Sequence, residues 1–359
     1  MPAEPRCEAA SEALPGGACV PRASASCDGA VPAEAPAGAT IVRVRTGAPA
    51  EGADGSSERP FATIARALEA APPDAWVLVA PGTYAERVAV TERAVHLRGA
   101  CWERTEIRAP AGVSGGGAVF VGGAAARLDL GDVTVGGPNV GVWVERGAAL
   151  RAARGRVERS VRAGVYVREA GSRGELDDVL VRDVAARADG DSGQGVRAGG
   201  GGALVLRDVA VVRATRIGVE AVGAGATIEG DRVLVRDVRE DRAAAYVHGG
   251  VVASGGAAVR LRGAVVRGAY ANGATARLAG SRVALDGAMI AEVAADASGA
   301  SSGLYAVAGG HEEDGAVFEE DRARAAPERG QHHLAEERVA RDDRPESPLA
   351  QPASAVRRK

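Results

Sequence analysis

Three short segments of this 359-residue chain, Val119-Phe-Val121, Val142-Trp-Val144 and Val165-Tyr-Val167, set an aromatic ring between two β-branched residues at intervals of 23. On a strand the flanking pair points to one side and the ring to the other. With the valines inside, Phe120, Trp143 and Tyr166 are expected to form one exposed column. Arg197 and Glu220, in Gly195-Val-Arg-Ala and Gly218-Val-Glu-Ala, continue it, and Tyr246 is a further candidate. Rings beside a guanidinium and a carboxylate suit sugar recognition, the ring against the apolar face of the sugar and the charges on its hydroxyls. The plainer reading is that stacked rings stiffen a sheet, at roughly 0.2–1 kcal/mol per cross-strand pair.

Acid chemistry has less material. Glycoside cleavage needs two carboxylates facing one cleft. Asp177-Asp178 is the one adjacent pair in the repetitive region, and neighbours on a strand point to opposite faces. Asp183, Asp189 and Asp191 are the best oxygen cluster for Ca2+, the one ion the sequence leaves room for; no other cofactor is expected, and a solvated Asp-Gly turn competes with that reading. Asp132, Asp178 and Asp208 recur in Leu-x-Asp-Val-x-Val and read as turn residues accepting backbone N–H bonds. The glycine runs at Gly115 and Gly199 lack the Lys-Ser/Thr of a phosphate loop, and His96, His248 and His311 are isolated.

Cys7, Cys19, Cys27 and Cys101 are spaced unlike a zinc knuckle. Disulfides in an oxidising compartment are expected, with Cys101 tying the N-terminal segment to the first coils; free thiols are the alternative. No apolar run precedes Cys7, so no signal peptide is expected in the chain as given, and no membrane span is expected either. A net charge of −3 gives no electrostatic footprint for nucleic acid.

The elements that must position these residues are short strands. From Trp76 turn signals come every seven to twelve residues, and the units repeat at roughly 18 to 32 residues, one supersecondary unit per coil. With 50 glycines and 3% aromatic residues, the composition suits a narrow solenoid interior of Val, Leu and Ala better than a globular core. One coil alone should not hold, because ordering each residue costs roughly 1–2 kcal/mol and few side chains are buried per coil. Phe61, Ile64, Leu68 and Ala71 share a helical face, which predicts a helix over 61–71 closing one end of the stack. The expected organisation is a Cys/Pro/Ala lead at 1–39, a solenoid at 40–310 and a disordered charged tail at 311–359.

Asp54-Gly-Ser, Pro60-Phe-Ala-Thr-Ile, the helix, Trp76-Val-Leu-Val, Pro81-Gly-Thr-Tyr-Ala-Glu and Val95-His-Leu-Arg-Gly together resemble the start of bacterial right-handed parallel β-helix proteins of the pectin-lyase-like group. The resemblance implies an all-β right-handed parallel β-helix with a short N-terminal capping α-helix, and an extracellular or cell-surface location. Of the elements carried by the polygalacturonase-like members, the coils show only the Asp-Asp. The expectation is therefore a non-enzymatic protein that contacts a polysaccharide or cell-surface glycan through its side-chain ladder. A polysaccharide lyase or glycoside hydrolase with a non-standard site, and a purely structural surface protein, are the alternatives.

Overall fold

The computed structural model describes residues 35–111, 116–187, 192–240, 248–296 and 299–307, with the strand backbones Val317–Asp321 and Arg324–Ala325. Among them the strands form two sheets, of seventeen and nine strands, and the pairings are parallel. The chain is a right-handed parallel β-helix. Each coil runs through the nine-stranded sheet, turns, and passes through two arms of the larger sheet.

The bend between those arms explains the Leu-x-Asp motif. The ten-residue strands Ala149–Glu158, Arg173–Arg182, Ala203–Val212 and Thr227–Arg236 each break at one left-handed residue: Arg154, Asp178, Asp208 and Arg232, with φ between 48° and 54°. Asp132 does the same between Arg127–Gly131 and Thr134–Gly136. Left-handed backbone costs an L-residue roughly 1–2 kcal/mol, and here it is offset by ion pairs along the stack. Arg154 is bidentate on Asp132 at 2.9 and 2.7 Å, and Arg232 on Asp208 at 2.5 and 2.6 Å. Asp132 and Asp208 thus take guanidinium bonds at the corner, where backbone N–H bonds were expected.

Inside the coils, Leu97, Leu130, Ala152, Leu176, Leu206, Gly230, Leu261 and Leu285 occupy one register position. The leucines are buried. Ala152 leaves an apolar cavity of about 20 Å³ between Leu130 and Leu176.

The helix spans Ile64–Ala70, shorter at both ends than the 61–71 expected. Phe61 is held in a parallel bridge to Val44 by backbone bonds with Arg43 and Arg45, and Thr63 is the N-cap. The helix buries Ile64, Ala67 and Leu68 against Ile41–Val44, Ala75–Val79 and Val88–Thr91, closing the N-terminal end of the stack. Side chains of the first coil seal its termini. Glu86 accepts from the N–H groups of Ile64 and Ala65, both at 2.8 Å, and Arg93 donates to the carbonyls of Leu68 and Ala71 at 2.5 and 3.2 Å. Tyr84 donates its hydroxyl to Ala80 O at 2.9 Å, fixing the Pro-Gly-Thr-Tyr turn.

Coil length alternates from Val142 onward. Successive steps in register, Val142 to Val165, Val196, Val219, Val251, Ala274 and Leu304, are 23, 31, 23, 32, 23 and 30 residues. The extra residues all enter between the second arm and the nine-stranded sheet. Val317–Asp321 pairs with Arg282–Asp286, so the ladder continues past residue 310 into the segment expected to be a tail. No helix among the described residues is long and apolar enough to cross a membrane.

Candidate functional site

The nine-stranded sheet carries the ladder read from the sequence. Phe120, Trp143, Tyr166, Arg197 and Glu220 occupy one register position on consecutive strands, and Val252, Thr275 and Tyr305 continue it. Tyr246 lies outside the described residues. The flanking valines belong to the main core, whereas Phe120, Trp143 and Tyr166 form a separate cluster outside the coil.

The column faces outward but is not exposed as expected. Phe120, Trp143 and Glu220 are 8%, 9% and 5% exposed, and Tyr166 and Arg197 are half-buried. One cause is local. Val140 and Ala163 turn outward with the rings because Gly141 and Gly164 point inward, where a Cβ would lie 2.4 Å from Val157 and Val181 of the second arm. The other cause is a set of guanidiniums from neighbouring turns. Arg87 and Arg146 lie 5.0 and 5.4 Å from the Phe120 ring, Arg162 and Arg168 lie 5.7 and 5.9 Å from Trp143, and Arg197 lies 5.2 Å from Tyr166. Trp143 and Tyr166 meet at 5.4 Å with planes tilted by 51°.

Toward Glu220 the face turns polar. Arg197 Nε stands 2.9 Å from Glu220 Oε2 in an ion pair. Gln194, on the strand of Arg197, takes the position held by Val140 and Ala163; it is 1% exposed, and its Nε2 has no hydrogen-bond partner among the described residues. Arg216, 6% exposed, immediately precedes Ile217, the residue paired with Gln194 on the next strand. Sequence reasoning passed over Gln194, although a lone amide at the apolar position before Gly-Val was a visible signal. The second carboxylate on this face, Glu145, accepts from Trp143 Nε1 at 3.0 Å. It sits three coils from Glu220, about 14 Å at the usual strand spacing.

Asp183 is turned toward cations. Arg213 is bidentate on it at 2.6 and 2.7 Å, and Arg182 and Arg239 approach at 3.8 and 4.0 Å. The Arg213 bonds hold its carboxyl below the usual range. Asp189 and Asp191 lie outside the described residues, and no group of three or more metal-ligating side chains occurs among those described. Asp177 ends the straight part of its arm and Asp178 occupies the bend, so the two do not form a dyad. Cys101 is buried and disulfide-bonded; its partner, and with it Cys7, Cys19 and Cys27, lies outside the described residues.

A second outward cluster lies at the N-terminal end. Trp76 stacks on His96 at 4.6 Å, and Asp129 accepts from Arg98 at 2.6 Å and contacts His96 Nδ1 at 3.1 Å.

Residues 48–92, the capping helix and first coil, match a family described as a protein of unknown function (DUF1565). No curated protein sequence matches the chain significantly. Among solved structures the chain is similar to a pectate lyase, Pel9A (15% identity, 72% of this chain and 80% of that one, TM-score 0.48). It is also similar to a pectin methylesterase from carrot (13%, 82% and 91%, 0.46). A third is an alginate lyase from Paenibacillus sp. str. FPU-7 (13%, 73% and 97%, 0.40).

Proposed function

We propose that this chain, a right-handed parallel β-helix protein of the pectin-lyase-like group, is an exported protein that binds a polysaccharide or cell-surface glycan on the outer face of its nine-stranded sheet. The observation that carries the reading is the sequence of groups at one-coil intervals from Tyr166 to Glu220. A half-buried ring, a guanidinium above it at 5.2 Å and a carboxylate paired to that guanidinium at 2.9 Å lie beside the buried amide of Gln194. Preformed polar groups next to an aromatic surface are what a sugar ring requires. The contact centre moves to Tyr166 and Arg197, with the buried carboxylate of Glu220 holding the guanidinium in place, while Phe120 and Trp143, under their arginines, support the sheet.

Binding is favoured over cleavage by spacing. Glu145 and Glu220, about 14 Å apart along the stack, exceed the 6.5–9.5 Å at which paired carboxyl groups hydrolyse glycosides. Export is supported by the disulfide at Cys101, since such bonds persist in oxidising compartments.

The test is retention on a polysaccharide array by wild type, Tyr166→Ala, Arg197→Ala and Phe120→Leu, with release of reducing or unsaturated ends measured in parallel. Loss of retention by the first two, with Phe120→Leu unaffected, is expected. Full retention by a folded Tyr166→Ala/Arg197→Ala protein removes this face from consideration, and release of sugar ends replaces binding by catalysis.

A further inference from the structure

The glycine run 199–202, which lacks the residues of a phosphate loop, divides into positions with different reasons for carrying no side chain. Gly200 and Gly201 make the turn itself, with φ of 53° and 85°. At Gly202 a Cβ would meet the backbone carbonyl oxygen of Val167 at 2.6 Å. Gly199 has neither reason. It ends the strand Gln194–Gly199 outside the left-handed region. The same register position takes side chains on the coils around it, Arg168, Val222, Ser254 and Arg277, so the strand does not demand glycine there. The nearest atoms to a Cβ at Gly199 all belong to the Tyr166 ring: Oη at 3.0 Å, Cε2 at 3.1 Å and Cζ at 3.5 Å.

We propose that Gly199 is a positioning residue of the carbohydrate face: its missing side chain seats the hydroxyl end of Tyr166 on the strand of Arg197, so that one sugar meets both ring and guanidinium. The inference rests on the binding proposed above for this face. The three rings of the column are held differently. Phe120 lies over Gly122 of its own strand, where a Cβ would stand 2.5 Å from Cζ, and Trp143 donates Nε1 to Glu145 of its own strand at 3.0 Å. The corresponding neighbour of Tyr166 is Arg168, whose guanidinium is turned to Glu169 at 3.0 Å and lies 5.9 Å from Trp143. Tyr166 instead reaches up to the next coil, onto Gly199. The tilt of 51° between its ring and that of Trp143 records this departure from the stack. There the ring lies 5.2 Å from the Arg197 guanidinium, a separation that a single sugar spans with its apolar face on the ring and its hydroxyls on the cation. A side chain at position 199 would take the space of the hydroxyl end and return the ring to the column, a coil below Arg197.

The test compares Gly199→Ala and Gly199→Val with wild type and Tyr166→Ala/Arg197→Ala on the polysaccharide that wild type retains. The thermal midpoint and the ring signals of isotope-labelled tyrosine, assigned with Tyr166→Phe, are followed in parallel. Valine suits a strand, so the substitution acts through its volume. Retention is expected to fall severalfold in Gly199→Val and less in Gly199→Ala, with the Tyr166 ring signals shifted and the midpoint close to wild type. Full retention by a folded Gly199→Val protein would overturn the proposal, as would loss of retention with the Tyr166 signals unmoved. If Gly199→Val does not fold, Gly199→Ala decides by the same two readings. Full retention by Tyr166→Ala/Arg197→Ala overturns the binding reading and this inference with it, whereas loss there beside full retention in Gly199→Val overturns the role of Gly199 alone.

Discussion

A left-handed arginine at a coil corner is tolerable because the aspartate one coil below holds its guanidinium. Asp208→Ala leaves Arg232 with its strain and without its bidentate partner, an expected loss of about 1–2 kcal/mol in denaturant unfolding. Arg232→Gly relieves the backbone as it removes the pair, so its loss should be the smaller of the two. Acid acts on the same chemistry. Burial opposes ionisation of Asp129 and Glu158, but bonds from Arg98 and His96, and from Arg182 and Arg156, outweigh it and leave both carboxyls depressed; Asp183 is depressed by Arg213. A carboxyl with a folded pKa below its unfolded value, about 3.9–4.3, stabilises the fold above that range and loses the contribution as pH falls through the folded pKa. The melting temperature should therefore be flat from about pH 8 to 5 and fall below about pH 4, less steeply in Asp183→Asn. A rise on acidification would contradict the ion-pair account. In the interior, Ala152→Val should fill the cavity beside Leu176 and gain about 1 kcal/mol or less, whereas Ala152→Leu should overpack and cost about 1–3 kcal/mol.

At the scale of the element, the capping helix depends on the coil it covers. Its seven residues are too few to be stable alone, and the carboxylate of Glu86 supplies the acceptor for its first turn. Glu86→Ala should cost about 1.5–3 kcal/mol and expose the helix to proteolysis before the coils; equal cleavage rates in mutant and wild type would show the cap held by packing alone. Much of this was legible. The spacing of Phe61, Ile64 and Leu68 announced the helix, and the 23-residue interval of Val119, Val142 and Val165 announced the coil, because both follow from side-chain periodicity. The helix start was misplaced because Phe61 is claimed by a bridge to Val44, a partner distant in sequence. The outward sense of Trp143 was legible for the same reason as the coil, and its burial was not. Alternation assigns a residue to a face, and the cover comes from Arg162, on the turn ahead of the next strand, and from an inward glycine that turns Val140 out. Arg154 and Arg232 of the corner column were hidden because arginine is not read as a left-handed residue.

At the scale of the whole molecule, stability accumulates coil by coil, and each end of the stack must be closed. The helix closes the first end.

The alternation of 23-residue coils with coils of 30 to 32 makes the chain a double-pitch object. Strands stack at about 4.8 Å, whereas two layers of chain carrying side chains need about 10 Å, so protrusions from one corner fit on every second coil and collide on adjacent ones. The indivisible module is therefore a pair of coils of 53 to 55 residues. Excising 219–273, one long and one short coil, joins Gly218 to Ala274 in register and keeps the alternation. Excising 196–218 removes one short coil and sets two long ones side by side. The first deletion should yield a shorter soluble solenoid, the second a protein that aggregates, although it has lost fewer than half as many residues. Lengthening such a protein, in evolution or by design, should proceed by the same double step.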